Sequence, residues 1–235
     1  VGAGVYFLEP YDPKKIPVLF VHGAMGHPGN WKHLVGTLDR TRFQPWLIYY
    51  PTAPHLDQIA RGLVRMLATL QVKYGFTRLV LVAHSMGGLV TRAAVNYALE
   101  STQGKRRIVA LPAFLSISSP WNGHAGAEEG VKYAPVVAPS WEDMAPGSPF
   151  IRALPQTALP PETEYTLLFS YRGTSEFSRV ANDGTVTVAS ELSMPIQRQA
   201  LHVMGFDETH TSILESADVA EHLKAILDRA AGAVK

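Results

Sequence analysis

Leu79-Val80-Leu81-Val82-Ala83-His84-Ser85-Met86-Gly87-Gly88 carries an apolar strand into a tight turn that holds a serine and then opens a helix. A turn of this kind lifts a serine hydroxyl above the end of the strand, which makes Ser85 a candidate nucleophile. Ala83 and Gly87 lie two positions before and after it. Such small neighbours let strand and helix approach each other despite a strained serine backbone. An ordinary strand-to-helix turn is the plainer alternative.

The flanking sequence repeats the same alternation. Residues 17–22 form a nearly continuous apolar run ending at Gly23, as expected of a parallel strand covered on both faces. A short strand is predicted before it at 5–8, a short helix after it over 28–38, and a second apolar strand over 43–50, stopped by Pro51. Between 55 and 74, Leu56, Ile59, Leu63, Met66, Leu67 and Leu70 recur at helical spacing with Asp57, Gln58, Arg61 and Arg65 opposite. Strands are expected at 77–83, 108–118, 165–171 and 199–204, and a closing helix over 213–230. Strand and helix patterns joined by short linkers point to a three-layer α/β/α fold with a mostly parallel sheet. Residues 120–161 break the rhythm with Pro, Gly, Ala and Trp, and are read as an active-site wall or small cap.

Composition narrows the functional classes. A chain of 235 residues can bury one substantial core, and 1–235 is read as a single domain. With 46% hydrophobic and 17% charged residues it is expected to be ordered and globular. A net charge of +1 without a long basic run argues against a nucleic-acid partner. The lack of cysteine removes disulfides, thiolate nucleophiles and thiolate metal sites. The nine histidines include no His-Glu-x-x-His pattern, and neither a phosphate loop nor a dinucleotide fingerprint is present, so the chemistry calls for no metal and no cofactor, and a metal held for stability by scattered His and Asp residues stays open. No apolar span reaches the roughly 20 residues needed to cross a bilayer. The first residues lack the basic-then-apolar pattern of a secretion signal, as a trimmed chain would too, which leaves secreted, periplasmic and membrane-associated locations open.

A serine hydroxyl is weakly nucleophilic and needs a histidine to take its proton and an acid to orient the imidazole. Asp183, in Asn182-Asp183-Gly184, is the candidate acid because the Asp-Gly pair marks a turn at the end of a loop. Its alternative role is an Asx-turn residue. Asp207 competes by proximity, three residues before His210. His210, just ahead of the closing helix, is the candidate base. His202 is its rival, but an apolar strand setting suggests a packed histidine there. His84 is expected to point away from Ser85. Backbone amides of Met86 and of Ala24, in Gly23-Ala24-Met25-Gly26, are the candidate oxyanion donors.

Together these residues resemble the α/β-hydrolase superfamily, particularly bacterial lipases and esterases with an Ala-His-Ser-Met-Gly-Gly elbow, and the likeness spans most of the chain. Ala83 stands where the usual Gly-x-Ser-x-Gly pattern has its first glycine. The family's chain order of serine, acid and histidine is met by Ser85, Asp183 and His210. The resemblance implies hydrolysis of carboxylic esters through an acyl-enzyme without an organic cofactor. Acyltransferases, thioesterases and catalytically degraded proteins share the fold, so acyl transfer, thioester cleavage and a non-catalytic ligand-binding module stay open.

Met25, Trp121, Val136, Val137, Trp141, Met144 and Phe150 are candidates for an apolar acyl pocket, and equally for a satellite core. The expected substrate is a small-molecule or lipid ester, with short-to-medium soluble esters preferred and peripheral contact with lipid left open.

Overall fold

The computed structural model describes residues 2–101, 109–127, 129, 137–173 and 180–232. Seven strands form one sheet: β1 (Gly4–Phe7), β2 (Ile16–Val21), β3 (Phe43–Tyr49), β4 (Arg78–His84), β5 (Ala110–Ile117), β6 (Glu164–Ser170) and β7 (His202–Phe206). Their order is β1-β3-β2-β4-β5-β6-β7. Only β1, against β3, runs antiparallel.

Side chains alternate across this sheet into two apolar layers. Leu19, Val21, Leu81, Ala83, Phe114 and Leu167 face the helices α2 (Leu56–Tyr74) and α3 (Met86–Ser101). Val18, Phe20, Val80, Val82 and Leu115 face α1 (Lys32–Gly36) and the last helix, Ala217–Gly232. Both faces of β2 and β4 are therefore covered, which is why their sequences read as unbroken apolar runs.

Edges and helix ends depart from the expectations. The last strand begins at His202 because Gln199 N–H and Ala200 N–H are spent in a turn on Ile196 O and Gln197 O, while the Gln199 side chain accepts from Arg92 at 2.6 Å. It then runs on to Phe206, beyond the expected end at 204. His202 is exposed on this edge strand, with Nε2 3.7 Å from Glu164 Oε1, and so is not the packed histidine its neighbours suggested. Residues 28–38 divide into a 3-10 turn, Pro28–Trp31, and the short α1, since the His27 ring accepts from Gly29 N–H and fixes a separate start. The closing helix likewise begins at Ala217: Ser212–Glu215 is 3-10, and Ser216 is extended (φ −71°, ψ 128°). The strand expected from 108 is described from Ala110; Ile108 lies outside the described residues.

Residues 139–153 contain two short helices, α4 (Pro139–Met144) and α5 (Pro149–Ala153). Met144, Ile151 and Leu154 pack into the same apolar layer as α2 and α3. Asp143 Oδ2 accepts the Leu56 N–H at 2.6 Å, so α4 supplies the carboxylate that caps α2, which lacks a cap from its own His55 side chain.

Trp46 is completely buried, stacked on Phe7 at 4.5 Å and edge-on to Phe76 at 5.1 Å. Trp46→Ala should destabilise the fold by about 3–5 kcal/mol, read as a lowered urea midpoint.

Candidate functional site

Ser85 occupies the turn between β4 and α3 with φ of 55°, a left-handed conformation that few non-glycine residues adopt. Two backbone bonds hold it there: Ser85 N–H donates to Ile117 O at 2.8 Å, and Gly88 N–H donates to Ser85 O at 2.9 Å. The turn also depends on a missing side chain. A Cβ at Gly87 would lie 2.4 Å from Val21 O and 2.5 Å from His22 O, so only glycine lets α3 pass the end of β2. The methyl of Ala83, in place of the usual glycine, is buried in the apolar layer facing α2 and α3.

Asp183 and His210 reach the serine from two separate loops that are pinned to each other by His210 N–H donating to Asp183 O at 2.9 Å. Asp183 Oδ2 accepts from His210 Nδ1 at 2.6 Å, and His210 Nε2 lies 2.9 Å from Ser85 Oγ. Because an ionised carboxylate can only accept, it selects the tautomer with the proton on Nδ1, leaving the Nε2 lone pair for the serine proton. Oδ1 of Asp183 accepts from the amides of Thr185 at 2.9 Å and Val186 at 2.7 Å, and Oδ2 also accepts from Ser170 Oγ at 2.9 Å. Burial alone would raise the Asp183 pKa. The bonds and charge of His210 and the two amides outweigh it and hold the group at about 2. Asp207, the rival by proximity, is exposed.

Two further histidines support the arrangement. His84 Nε2 donates to His210 O at 2.8 Å, away from Ser85, and burial drives its pKa down to about 3, so it serves as a neutral donor. His124 donates from Nε2 to Thr185 O at 2.9 Å and accepts the Ala127 N–H at 3.0 Å, tying the segment after β5 to the acid loop. Burial lowers its pKa as well.

Met86 N–H is the first amide of α3, with no preceding helical turn to accept it. Ala24 follows Gly23, where an added Cβ would sit 2.7 Å from Ser85 Cβ and 3.2 Å from Ser85 Oγ. The loop carrying Ala24, the second candidate amide, thus lies against the serine. His22, buried and stacked on Tyr50 at 4.3 Å, steadies that loop: its Nδ1 donates to Gly23 O at 2.8 Å. Thr52 Oγ1 accepts the Met25 N–H at 3.2 Å.

The apolar candidates divide by position. Met25 is 92% exposed, whereas Trp121 and Met144 are buried in the layer facing α2 and α3. Trp141 and Phe150 are half-buried against that layer, and Val137 is half-buried. Val136 lies outside the described residues. Sequence reasoning did not single out Ser118, Ser170 or Glu191, which lie fully buried behind Asp183. A short polar side chain at a strand end carries no periodic signal, and Glu191 is distinguished only by following the Asp-Gly turn by eight residues. Among the described residues no group of three or more His, Asp or Glu converges as a metal-binding set, and no helix is long and apolar enough to cross a membrane.

Comparison with known proteins agrees with this geometry. The model of the Alpha/beta hydrolase family matches residues 18–230. Among solved structures, mature Bacillus licheniformis lipase BlEst2 is similar at 16% identity and a TM-score of 0.69, covering 95% of this chain and 97% of that one. A Listeria innocua gene product is similar at 17% identity and a TM-score of 0.65, with 91% and 94% covered. Paleococcus ferrophilus monoacylglycerol lipase shares 12% identity at a TM-score of 0.64 with 100% of both chains covered. No protein of curated function matches the chain in sequence.

The close approach of Gly23 to Ser85 sets a test of the elbow. Gly23→Ala should slow phosphonylation of Ser85 by a fluorophosphonate by about 100-fold while far-UV circular dichroism is preserved, because the new methyl displaces either the hydroxyl or the Ala24 amide.

Proposed function

Since the chain belongs to the alpha/beta hydrolase family, we propose that Ser85, His210 and Asp183 form a catalytic triad that hydrolyses carboxylic esters through an acyl-enzyme. The observation that carries this reading is the continuous row from Ser85 Oγ through His210 to Asp183, at 2.9 and 2.6 Å.

His210 Nε2 takes the Ser85 proton as Oγ attacks the ester carbonyl. The carbonyl oxygen becomes negatively charged, and the amides of Met86 and Ala24 stabilise it. Protonated His210 then passes its proton to the leaving alkoxide, which departs as the alcohol. A water next gives its proton to His210, attacks the acyl-enzyme and releases the carboxylic acid, returning the proton to Ser85. Asp183 stays ionised throughout and stabilises the imidazolium, a role consistent with its low pKa.

In this reading the described residues act as one hydrolase domain, with those described between 120 and 161 as its wall rather than a separate lid. The burial of Trp121 and Met144 supports a wall that is part of the packed body. An apolar acyl group is favoured by the mostly apolar wall and by Met25, exposed beside the loop that carries the Ala24 amide. The same exposed methionine fits shallow contact with a lipid surface. Similarity in fold to a bacterial lipase and to a monoacylglycerol lipase points in the same direction.

Purified protein should cleave p-nitrophenyl esters of graded acyl length, and Ser85→Ala should lower kcat/KM by at least about 1000-fold. Turnover by Ser85→Ala equal to wild type, with no phosphonate on Ser85, would overturn the mechanism. Adding a competing alcohol separates hydrolysis from transfer by the product formed.

A further inference from the structure

Behind Asp183, a second carboxyl group is enclosed in the fold. Glu191 ends the short helix α6 (Val188–Glu191), is wholly buried, and accepts the Ser170 N–H on Oε2 at 3.1 Å. Its place follows from the sheet. β5 and β6 pair as far as Ile117 and Leu168, and Ser118 N–H still donates to Leu168 O. Continuing that parallel ladder would offer Ser118 O to the Ser170 amide. Ser118 turns left-handed instead, at φ 47°, and the Glu191 carboxyl stands in for the lost carbonyl.

Ser170 in turn holds the acid of the triad. Its hydroxyl donates to Asp183 Oδ2 at 2.9 Å, so in its 2.6 Å contact with Ser118 Oγ it must be the acceptor. We propose that Glu191 is a positioning residue: as an uncharged acid, its carboxyl fixes the end of β6, and with it the Ser170 hydroxyl that keeps Asp183 facing His210. The proposal rests on the triad reading given above.

The uncharged form follows from the surroundings. Glu191 Oε1 has no hydrogen-bond partner among the described residues, and beside the Ser170 N–H the carboxyl meets only the Ser118 hydroxyl and the like-charged Asp183 carboxylate, a poor setting for a buried anion. Asp183 already supplies a negative charge nearby, with His210 bonded to it and His124 bonded to Thr185 O of the same loop. Ser118 and Ser170, at the strand ends, are neutral. Burial first, and the Asp183 charge second, push the Glu191 pKa up to about 9. A second anion formed above that pH would repel Asp183.

Comparison of wild type, Glu191→Ala and Glu191→Gln tests this. Glu191→Ala should lower kcat by about 10- to 100-fold with KM nearly unchanged, and Glu191→Gln, which mimics the neutral acid, should restore kcat to within about threefold of wild type. Wild type should lose activity relative to Glu191→Gln as the pH rises through about 9. Wild-type kinetics in Glu191→Ala, a folded Glu191→Gln as impaired as Glu191→Ala, or parallel alkaline limbs would each overturn the proposal. Should Glu191→Ala fail to fold, the wild-type and Glu191→Gln pH profiles decide it alone. Phosphonate labelling separates the two levels: ester turnover by wild type without labelling of Ser85 removes the triad reading and this proposal with it, whereas normal labelling with any of the adverse outcomes removes this proposal only.

Discussion

A Cβ cannot stand much closer than 3 Å to a carbonyl oxygen, and one added at Gly87 of α3 would lie 2.4 Å from Val21 O and 2.5 Å from His22 O. The packing of Gly87 against Val21 O and His22 O lets α3 start immediately after Ser85, and the serine accordingly takes its left-handed turn. From that approach follow the first amide of α3, which no preceding helical turn accepts, the close approach of Gly23 to the serine, and the placement of His22 in the same loop. The cost of a strained residue, about 1–3 kcal/mol, is met by the surrounding packing.

The polar half of the site obeys a different constraint, the limited acceptor capacity of a buried carboxylate. Asp183 receives one donor from His210, one from Ser170 and two from backbone amides. These use the available lone-pair positions and leave Asp183 no reason to rotate. The imidazole orientation is thereby set from the backbone rather than from side chains alone.

How much of this could be read from sequence depended on whether a residue's role left a local pattern. Apolar runs such as 17–22 and 77–83 announced the buried centre of the sheet, because both faces of those strands meet helices. The Asp183-Gly184 turn and the position of His210 before the last helix were also legible. The β7 edge was not: with solvent on one side, His202 and Val203 needed no apolar partner, and hydrophobicity misplaced both the strand and the histidine's setting. Ser118, Ser170 and Glu191 escaped notice because their contacts join residues 13 to 52 positions apart, and no short-range spacing encodes such meetings.

The carboxylate of Asp143 joins two parts of the molecule that sequence separates by 87 positions. Lifting α4 off the body would strip the first turn of α2 of its anionic partner while also drawing Met144 out of the apolar layer. The region beside the site is therefore fastened to a long scaffold helix, and any swinging movement there is taxed twice, once in electrostatics and once in hydration. Displacing α4 would therefore cost more than displacing a surface loop that has neither tie.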